Sequence, residues 1–141
     1  MSSGVAFAAG RNIAMKVPPH VHDATVRFYR EVLGLPEIAA HAPTVVFEFG
    51  SNRLWIDRVP GISQAETWLE VVTNDLEAAS ALLAEAGVVR CDDIEPLPPG
   101  FRGFWVSSPA SIVHLVCEEG GAAGGSGPRA GEGGGAPEGG R

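Results

Sequence analysis

The sequence contains only two cysteines, Cys91 and Cys117, and they do not form a CxxC pair. Closely spaced cysteine pairs are typical of structural zinc sites and redox motifs, and larger even sets of cysteines are typical of disulfide frameworks. The sequence has neither signature. We therefore expect two reduced, partly buried thiols, with a disulfide or a metal-binding pair as the alternative.

Positive charge is also scarce in this chain. Ten Lys and Arg residues stand against 17 Asp and Glu residues, so the formal net charge is -7 and the isoelectric point is near 5.0. A nucleic-acid-binding surface normally needs clustered Lys and Arg side chains. We therefore expect no nucleic-acid partner.

Long apolar runs and familiar catalytic loops are missing as well. No apolar stretch approaches the roughly 20 residues that a membrane-spanning helix needs, and residues 1–11 lack the basic start and long apolar centre of a signal peptide. We therefore expect a cytoplasmic protein without a membrane partner. The glycine-containing turns match no phosphate-binding loop, and no GxSxG nucleophile motif is present.

The clearest structural signal lies in residues 67–87, which run from a strand pattern into a helix pattern. Apolar and mixed positions alternate over residues 67–72, as in a strand that packs one face against a helix layer. Asn74 can cap the following helix, and Glu77 has the spacing of a capping box. Gly87 can end the helix in the left-handed conformation.

The same order of elements occurs earlier in the chain. A strand pattern over Asn12–Val17 leads into a helical run that Gly34 closes, and three short β-like segments follow each helix. These segments are residues 37–41, 44–49 and 53–59 in the first half and residues 88–91, 103–107 and 111–117 in the second. The sequence therefore predicts an α+β domain of two βαβββ modules, about residues 11–60 and 66–118.

The two ends of the chain differ from this domain in composition. Residues 1–10 are predicted to be a flexible N-terminus. Half of residues 120–141 are glycine and almost none are apolar, so burial cannot offset the entropy of ordering them. Residues 119–141 are therefore predicted to be a disordered, glycine-rich tail.

Several motifs resemble those of a known superfamily. Residues 28–36, FYREVLGLP, resemble the FYr-x-vLGl signature of the vicinal oxygen chelate superfamily, which includes glyoxalases, extradiol dioxygenases, and fosfomycin and bleomycin resistance proteins. Residues 74–79, 86–88 and 103–109 resemble parts of its second module, so the similarity covers about residues 11–118. The resemblance implies a curved mixed sheet of two modules around a cup, with the helices on the outer face. It also implies a small organic molecule as the partner.

Under that fold, strand alternation separates residues that face the cup from residues that face the helices. Ile13, Leu54 and Leu69 are among those predicted to face the helices. The residues predicted to bind a ligand in the cup are Asn12, Lys16, Glu48, Arg53, Trp55, Asp57, Trp68 and Trp105, and the candidate catalytic groups are His114 and Glu70. Convergent polar groups between aromatic walls are typical of small-molecule sites.

The tryptophans and charges of this cup have two interpretations each. Trp55 and Trp68 occupy equivalent places in the two modules, which favours an aromatic cage for a planar or cationic ligand, with cation–π contacts to an amine. Plain packing of the indoles is the alternative. In the same way, the carboxylates of the cup either complement a cationic ligand or pair with Lys16 and Arg53.

Metal-dependent members of the superfamily bind a divalent cation through four strand positions. The resemblance carries these positions onto Asn12, Trp55, Trp68 and His114. An indole has no free lone pair for a metal, asparagine is a poor ligand for transition metals, and a catalytic zinc normally needs three protein ligands. We therefore predict no metal cofactor at the usual site. A displaced site, built from His114 and carboxylates of the cup, is the alternative.

Three functions from different classes remain open at this stage. The first is a metal-free binding protein, similar to the bleomycin resistance type. The second is an enzyme, either a metal-dependent lyase, isomerase or dioxygenase or a metal-free acid–base catalyst that uses His114 with Glu70 or Asp57. The third is an interaction domain whose cup has decayed. We also predict a homodimer, and we expect the proline-rich residues 91–101 to be either a lid over the cup or a rigid acidic connector.

Overall fold

A curved, mixed β-sheet organises the chain in the computed structural model, which describes residues 4–119. The strands are β1 (Phe7–Ala9), β2 (Asn12–Val17), β3 (Val45–Phe49), β4 (Asn52–Arg58), β5 (Glu66–Thr73), β6 (Val89–Arg90), β7 (Gly103–Ser107) and β8 (Val113–Glu118). The helices are α1 (Pro19–Arg27), which continues into a π-helical turn (Phe28–Val32), and α2 (Leu76–Glu85). Short 3-10 turns cover Ala39–His41 and Asp92–Ile94.

The strand order shows two modules joined edge to edge. The order is β3-β4-β2-β5-β8-β7-β6, and β1 also pairs with β5. In each module the first strand pairs in parallel with the last strand, as β2 with β4 and β5 with β8. The modules meet where β2 and β5 pair antiparallel, with Ala14 opposite Trp68. The predicted α+β fold with two similar modules is confirmed.

The first module lacks one of its three predicted β-segments. Over residues 37–41 the structure has a single bridge, from Glu37 to Phe47, followed by the 3-10 turn Ala39–His41. The prediction of a full strand there is wrong. Pro36 and Pro43 flank this segment, and proline cannot donate to a strand ladder.

Both helices pack on the same face of the sheet, as predicted. Val26 of α1 packs with Val17, Phe47, Leu54 and Ile56. Leu76 of α2 packs with Phe104, Val106 and Val116. A third cluster of Trp68, Trp105, Val113, Leu115 and Cys117 belongs to the opposite face. That opposite, concave face is called the cup below.

The start of α2 differs from its prediction in one residue. Asp75 is the N-cap, and its side chain accepts a 3.0 Å hydrogen bond from the Ala78 backbone N–H. Asn74 instead accepts from the Ala6 N–H and donates to the Gly4 carbonyl. Its side chain thus binds the N-terminal segment and does not cap the helix. The helix-ending glycine is confirmed, because Gly87 has a φ of +82°.

The N-terminal segment is also more ordered than its sequence suggests. Residues 1–10 were predicted to be flexible, but Phe7–Ala9 forms β1 and pairs antiparallel with β5. The predicted disordered tail, residues 119–141, lies outside the described residues except for Glu119. Within residues 4–119, no helix is both long enough and apolar enough to cross a membrane.

Candidate ligand-binding site

The cup contains a cleft that is lined by three indole rings and by charged groups. Its lining residues come from β2, β4, β5, β7, β8 and the segment after β6. The lining residues are Asn12, Ala14, Lys16, Trp55, Asp57, Trp68, Leu69, Glu70, Glu95, Trp105 and Leu115. The structure therefore brings together Asn12, Lys16, Trp55, Asp57, Trp68, Glu70 and Trp105, as the alternation predicted.

His114 does not face this cleft. In the β5–β8 ladder, His114 lies opposite Leu69 while Leu115 lies opposite Glu70. Residues opposite each other in a ladder share a face of the sheet, so Leu115 takes the cup side with Glu70. His114 lies on the other face, with Nδ1 2.9 Å from the Ile112 carbonyl oxygen. The predicted cup position of His114 is wrong by one residue of register, which moves every side chain of a strand to the opposite face.

Glu48 on β3 lies opposite Arg53 on β4, and neither residue lines the cleft. Glu48 is exposed and Arg53 is half-buried. They share the cup side of the sheet but lie beyond the residues that line the cleft. The structure therefore does not bring them together with the other predicted ligand-binding residues.

Lys16 forms a buried ion cluster with carboxylates that line the cleft. Its Nζ donates to Asp57 Oδ2 at 2.8 Å and to Glu95 Oε1 at 2.9 Å, and it lies 4.3 Å from the centroid of the Trp68 ring. Burial lowers the pKa of Lys16, but the charges and hydrogen bonds of Asp57 and Glu95 together raise it by more, so this pKa lies above its ordinary value. Lys16 is thus a charged ammonium that pairs with cup carboxylates, which was the second of the two interpretations.

The other oxygen of Asp57 is exceptional among the described residues. Oδ1 is buried and has no hydrogen-bond partner within residues 4–119. Asp57 is only 5% exposed, and its side chain lines the cleft. Buried carboxylate oxygens nearly always accept a hydrogen bond. Asp57 Oδ1 is therefore an available acceptor inside the cup.

Residues 91–101, called the lid segment here, cover the cleft. Glu95 reaches Lys16 from this segment, and the Glu95 carbonyl accepts a 2.9 Å hydrogen bond from Trp105 Nε1. Ile94, Leu97 and Phe101 pack against the Trp68–Trp105 cluster. About 40 Å³ of free space remains beneath the segment. The segment therefore lies over the cup, which is the position that the lid interpretation requires.

A hydrogen-bonded network connects four strands beside the ion cluster. Trp55 Nε1 donates to Asn12 Oδ1 at 2.8 Å, and Asn12 Nδ2 donates to both carboxylate oxygens of Glu70 at 3.2 Å. Cys117 Sγ donates to Glu70 Oε2 at 3.6 Å. The network therefore crosses the boundary between the modules, because its residues lie on β4 (Trp55), β2 (Asn12), β5 (Glu70) and β8 (Cys117).

Comparison with known proteins identifies the fold. No family model and no curated protein matches the sequence. Among solved structures, the Mn(II)-bound glyoxalase from Novosphingobium aromaticivorans has a TM-score of 0.53 at 18% identity, over 77% of this chain and 38% of that chain. A methylmalonyl-CoA epimerase from Mycobacterium tuberculosis has a TM-score of 0.54 at 11% identity, over 84% and 91%. A glyoxalase/bleomycin resistance protein/dioxygenase superfamily member from Vibrio splendidus 12B01 has a TM-score of 0.50 at 13% identity, over 79% of this chain and 100% of that chain.

The chain has the vicinal oxygen chelate fold. Identities this low establish the fold alone, and the chain spans 38% of the length of the glyoxalase that it matches. The hydrogen-bonded network of Trp55, Asn12, Glu70 and Cys117 lies on the strands where the superfamily resemblance placed metal ligands. The donor set of these four residues therefore tests whether a metal fits.

A divalent metal does not fit the four residues of this hydrogen-bonded network. Trp55 offers an N–H and no lone pair, and the Asn12 oxygen already accepts from that N–H. Glu70 and Cys117 remain, which is fewer than the three protein ligands of a usual catalytic site. The displaced alternative loses its imidazole, because His114 lies on the other face. In residues 4–119, no three His, Cys, Asp or Glu side chains are grouped to hold a metal.

Sequence reasoning missed four residues of this site: Glu95, Leu115, Cys117 and also Leu69, which was predicted to face the helices and is among the lining residues. Glu95 lies in the acidic, proline-rich segment that was recognised as a possible lid, but its reach to Lys16 depends on loop conformation. Leu115 and Cys117 alternate with His114 along β8, so the prediction of His114 in the cup placed them on the helix side. Leu115 and its neighbour Val116 are both apolar, so their sequence did not show which of them faces the cup.

Proposed function

We propose that this chain is a metal-independent binding protein for a small organic molecule, held in the cup beneath the lid segment. The observation that carries the proposal is Asp57 Oδ1, an unpartnered buried acceptor in a cleft with indole walls. A cleft of apolar walls with a few convergent polar groups is the usual form of a small-molecule site.

The indole walls are held in place before any ligand enters. Each indole N–H already has a protein acceptor: Asn12 for Trp55, Glu66 for Trp68 and the Glu95 carbonyl for Trp105. Trp68 and Trp105 also contact each other edge to face, with ring centroids 5.2 Å apart. Such rings offer their apolar surfaces to a ligand and lose little conformational freedom when it binds.

Ligand entry requires the lid segment to move. The free space of about 40 Å³ has room for water molecules and is far below the roughly 300–1,000 Å³ of typical ligand pockets. Loop closure over a bound molecule is a common way to exclude water from a site. The small volume also favours a second candidate, an interaction domain whose cup stays closed.

No catalytic role is proposed for His114, because it lies on the opposite face from Glu70 and Asp57. A general acid or base must come within about 3 Å of the substrate atom or act through one water. Glu70 is the cup carboxylate that remains from the predicted acid–base pair, and both of its oxygens accept hydrogen bonds from Asn12. Its catalytic role stays a prediction.

Binding can be tested with a panel of small organic molecules of different charge. We expect at least one class to raise the thermal unfolding midpoint and to change tryptophan fluorescence. Trp68→Leu is expected to weaken binding at least about tenfold, or about 1.4 kcal/mol, while Phe49→Leu, at an exposed position outside the cleft, leaves it unchanged. If no molecule binds to either the wild type or a lid-opening Glu95→Gln variant, the interaction-domain candidate replaces this proposal.

Metal independence needs its own measurement. The protein is equilibrated with Mn²⁺, Fe²⁺, Zn²⁺ or Ni²⁺, desalted and analysed for metal content, with Glu70→Ala as the control. We expect no stoichiometric metal in the wild type. Stoichiometric metal that is lost in Glu70→Ala would contradict the proposal and make a metal-dependent enzyme the leading function.

The predicted homodimer stays a prediction. The two modules of this chain pair with each other through β2 and β5. We propose that a dimer, if formed, uses surfaces outside the cup. Light scattering coupled to size exclusion measures the mass directly.

A further inference from the structure

We propose that the ligand of the cup is an organic cation, an amine or a guanidine, that donates a hydrogen bond to Asp57 Oδ1. This inference rests on the proposed binding function and adds the chemical class of the ligand. It follows from three features of the cleft: its excess of carboxylates, its one unpartnered acceptor and the way in which Lys16 is already bound.

The cleft contains more acidic than basic groups. Asp57, Glu70 and Glu95 contribute three carboxyl groups, and Lys16 contributes the one ammonium among the lining residues. Among residues 4–119, the carboxylate of Glu70 accepts from neutral donors, the Asn12 amide and backbone N–H and the Cys117 thiol. Charges are poorly screened inside a protein, so this excess attracts a further cation and repels an anion.

Asp57 provides the contact point. Lys16 uses Oδ2, and Oδ1 has no partner among residues 4–119 although the side chain is 4% exposed. A carboxylate without its proton accepts hydrogen bonds and donates none. The ligand atom that fits next to Oδ1 therefore carries an N–H or O–H, and a positively charged N–H makes the stronger hydrogen bond.

Lys16 shows how this cleft holds an ammonium. Its Nζ lies between two carboxylate oxygens and 4.3 Å from the Trp68 ring centroid, a combination of ion pairs and cation–π contact that is typical of amine recognition. The same contacts occupy Lys16 itself, so a ligand anion finds no free cation among the lining residues. Trp55 and Trp105 supply apolar surface for the organic part of the ligand.

The test compares ligands that differ only in the head group. Benzyl, phenylethyl and indolylethyl frames are each used as the amine, the alcohol and the matching carboxylate, and binding is measured by calorimetry and tryptophan fluorescence. We expect at least one amine to bind at least about tenfold more tightly than its alcohol, with the carboxylate weakest. An increase in salt concentration should weaken amine binding more than alcohol binding.

Two variants locate the interaction. Asp57→Asn should lower amine affinity at least about tenfold and leave alcohol affinity nearly unchanged. Asp23→Asn, whose side chain is 88% exposed, should change neither. If Asp57→Asn fails to fold, the amine-to-alcohol ratio of the wild-type protein and its salt dependence decide the question.

The outcomes separate this inference from the proposed function. Equal binding of the amine and the alcohol would mean that Asp57 Oδ1 takes a neutral donor or water, and tighter binding of the carboxylate would mean anion recognition. Either result overturns the cation inference while leaving a small-molecule site. Failure of every compound, together with failure of the wider panel, would overturn both.

Discussion

Trp55 donates a 2.8 Å hydrogen bond from its indole nitrogen to Asn12 Oδ1, across the parallel pair of strands β4 and β2. This contact leaves the Asn12 amide hydrogens directed at Glu70 on β5. The two modules are thus joined inside the cup by neutral donors on a carboxylate. Asn12 acts here as a hydrogen-bond bridge, and its geometry depends on the placement of Glu70.

The space around Glu70 makes Gly10 intolerant of a side chain. A Cβ atom at Gly10 would lie 2.7 Å from the Glu70 carboxyl carbon, and Asn12 and Cys117 hold that carboxylate in place. We expect Gly10→Ala to destabilise the protein by about 1–3 kcal/mol, the usual cost of overpacking. Urea unfolding followed by tryptophan fluorescence measures this change.

A double-mutant cycle shows whether Glu70 is the cause. In a Glu70→Ala background, the Gly10→Ala substitution no longer meets the carboxylate and should cost much less. Equal costs in the two backgrounds would locate the strain elsewhere and contradict the assignment.

Lys16 is the charge on which the closed cup depends. Lys16→Met removes the ammonium from Asp57 and Glu95, whose side chains are 4% and 15% exposed. Breaking a buried pair by removal of one partner typically costs about 3–5 kcal/mol, because the remaining charge stays buried. The matched control is Arg30→Met, which breaks the exposed pair with Glu37 and should cost about 1 kcal/mol or less. Similar losses in both variants would contradict the structural role of Lys16.

The stability that Lys16 provides should depend on pH in one direction. Because the pKa of Lys16 is raised above its ordinary value of 10.5, its contribution is complete below pH 10.5 and is lost as the pH rises through the folded-state pKa. The difference in unfolding free energy between wild type and Lys16→Met should stay constant from pH 8 to about 10.5 and shrink above that. A decrease that begins near pH 9 would indicate a lowered pKa instead.

Strand alternation predicted the cup where one face of a strand is polar. On β2 and β4, charged or amide groups alternate with aliphatic ones, so Asn12, Lys16 and Asp57 were assigned to the correct face. On β8 the pattern is VHLVC, and Leu115, Val116 and Cys117 are all buried. A strand that is buried on both faces has no period-two signal. His114 is the one ionisable imidazole or carboxylate within VHLVC, and assigning it to the cup shifted the register.

Contacts from distant segments could not be predicted in the same way. β1 has only three residues and pairs with β5 at a position that Asn74 helps to fix through its hydrogen bonds to Gly4 and Ala6. Glu95 reaches Lys16 across 79 positions of sequence. The identities of these residues are compatible with exposed loops, and only the folded arrangement of their partners gives them a role.

Glu95 is the polar connection between the lid segment and the cup. Glu95→Gln removes the charge that pairs with Lys16 and keeps the carbonyl that accepts from Trp105, so it should weaken closure by about 1–2 kcal/mol, in the range of a hydrogen bond to a charged group. Because the lid covers Trp68 and Trp105, acrylamide should then quench tryptophan fluorescence more efficiently, and ligands should associate faster. Glu77→Gln, which breaks an exposed pair with Arg102 on the helix side, is the control and should leave quenching unchanged. Unchanged quenching in Glu95→Gln would mean that the packing of Ile94, Leu97 and Phe101 holds the segment closed without the ion pair, since these apolar contacts stay intact in the variant.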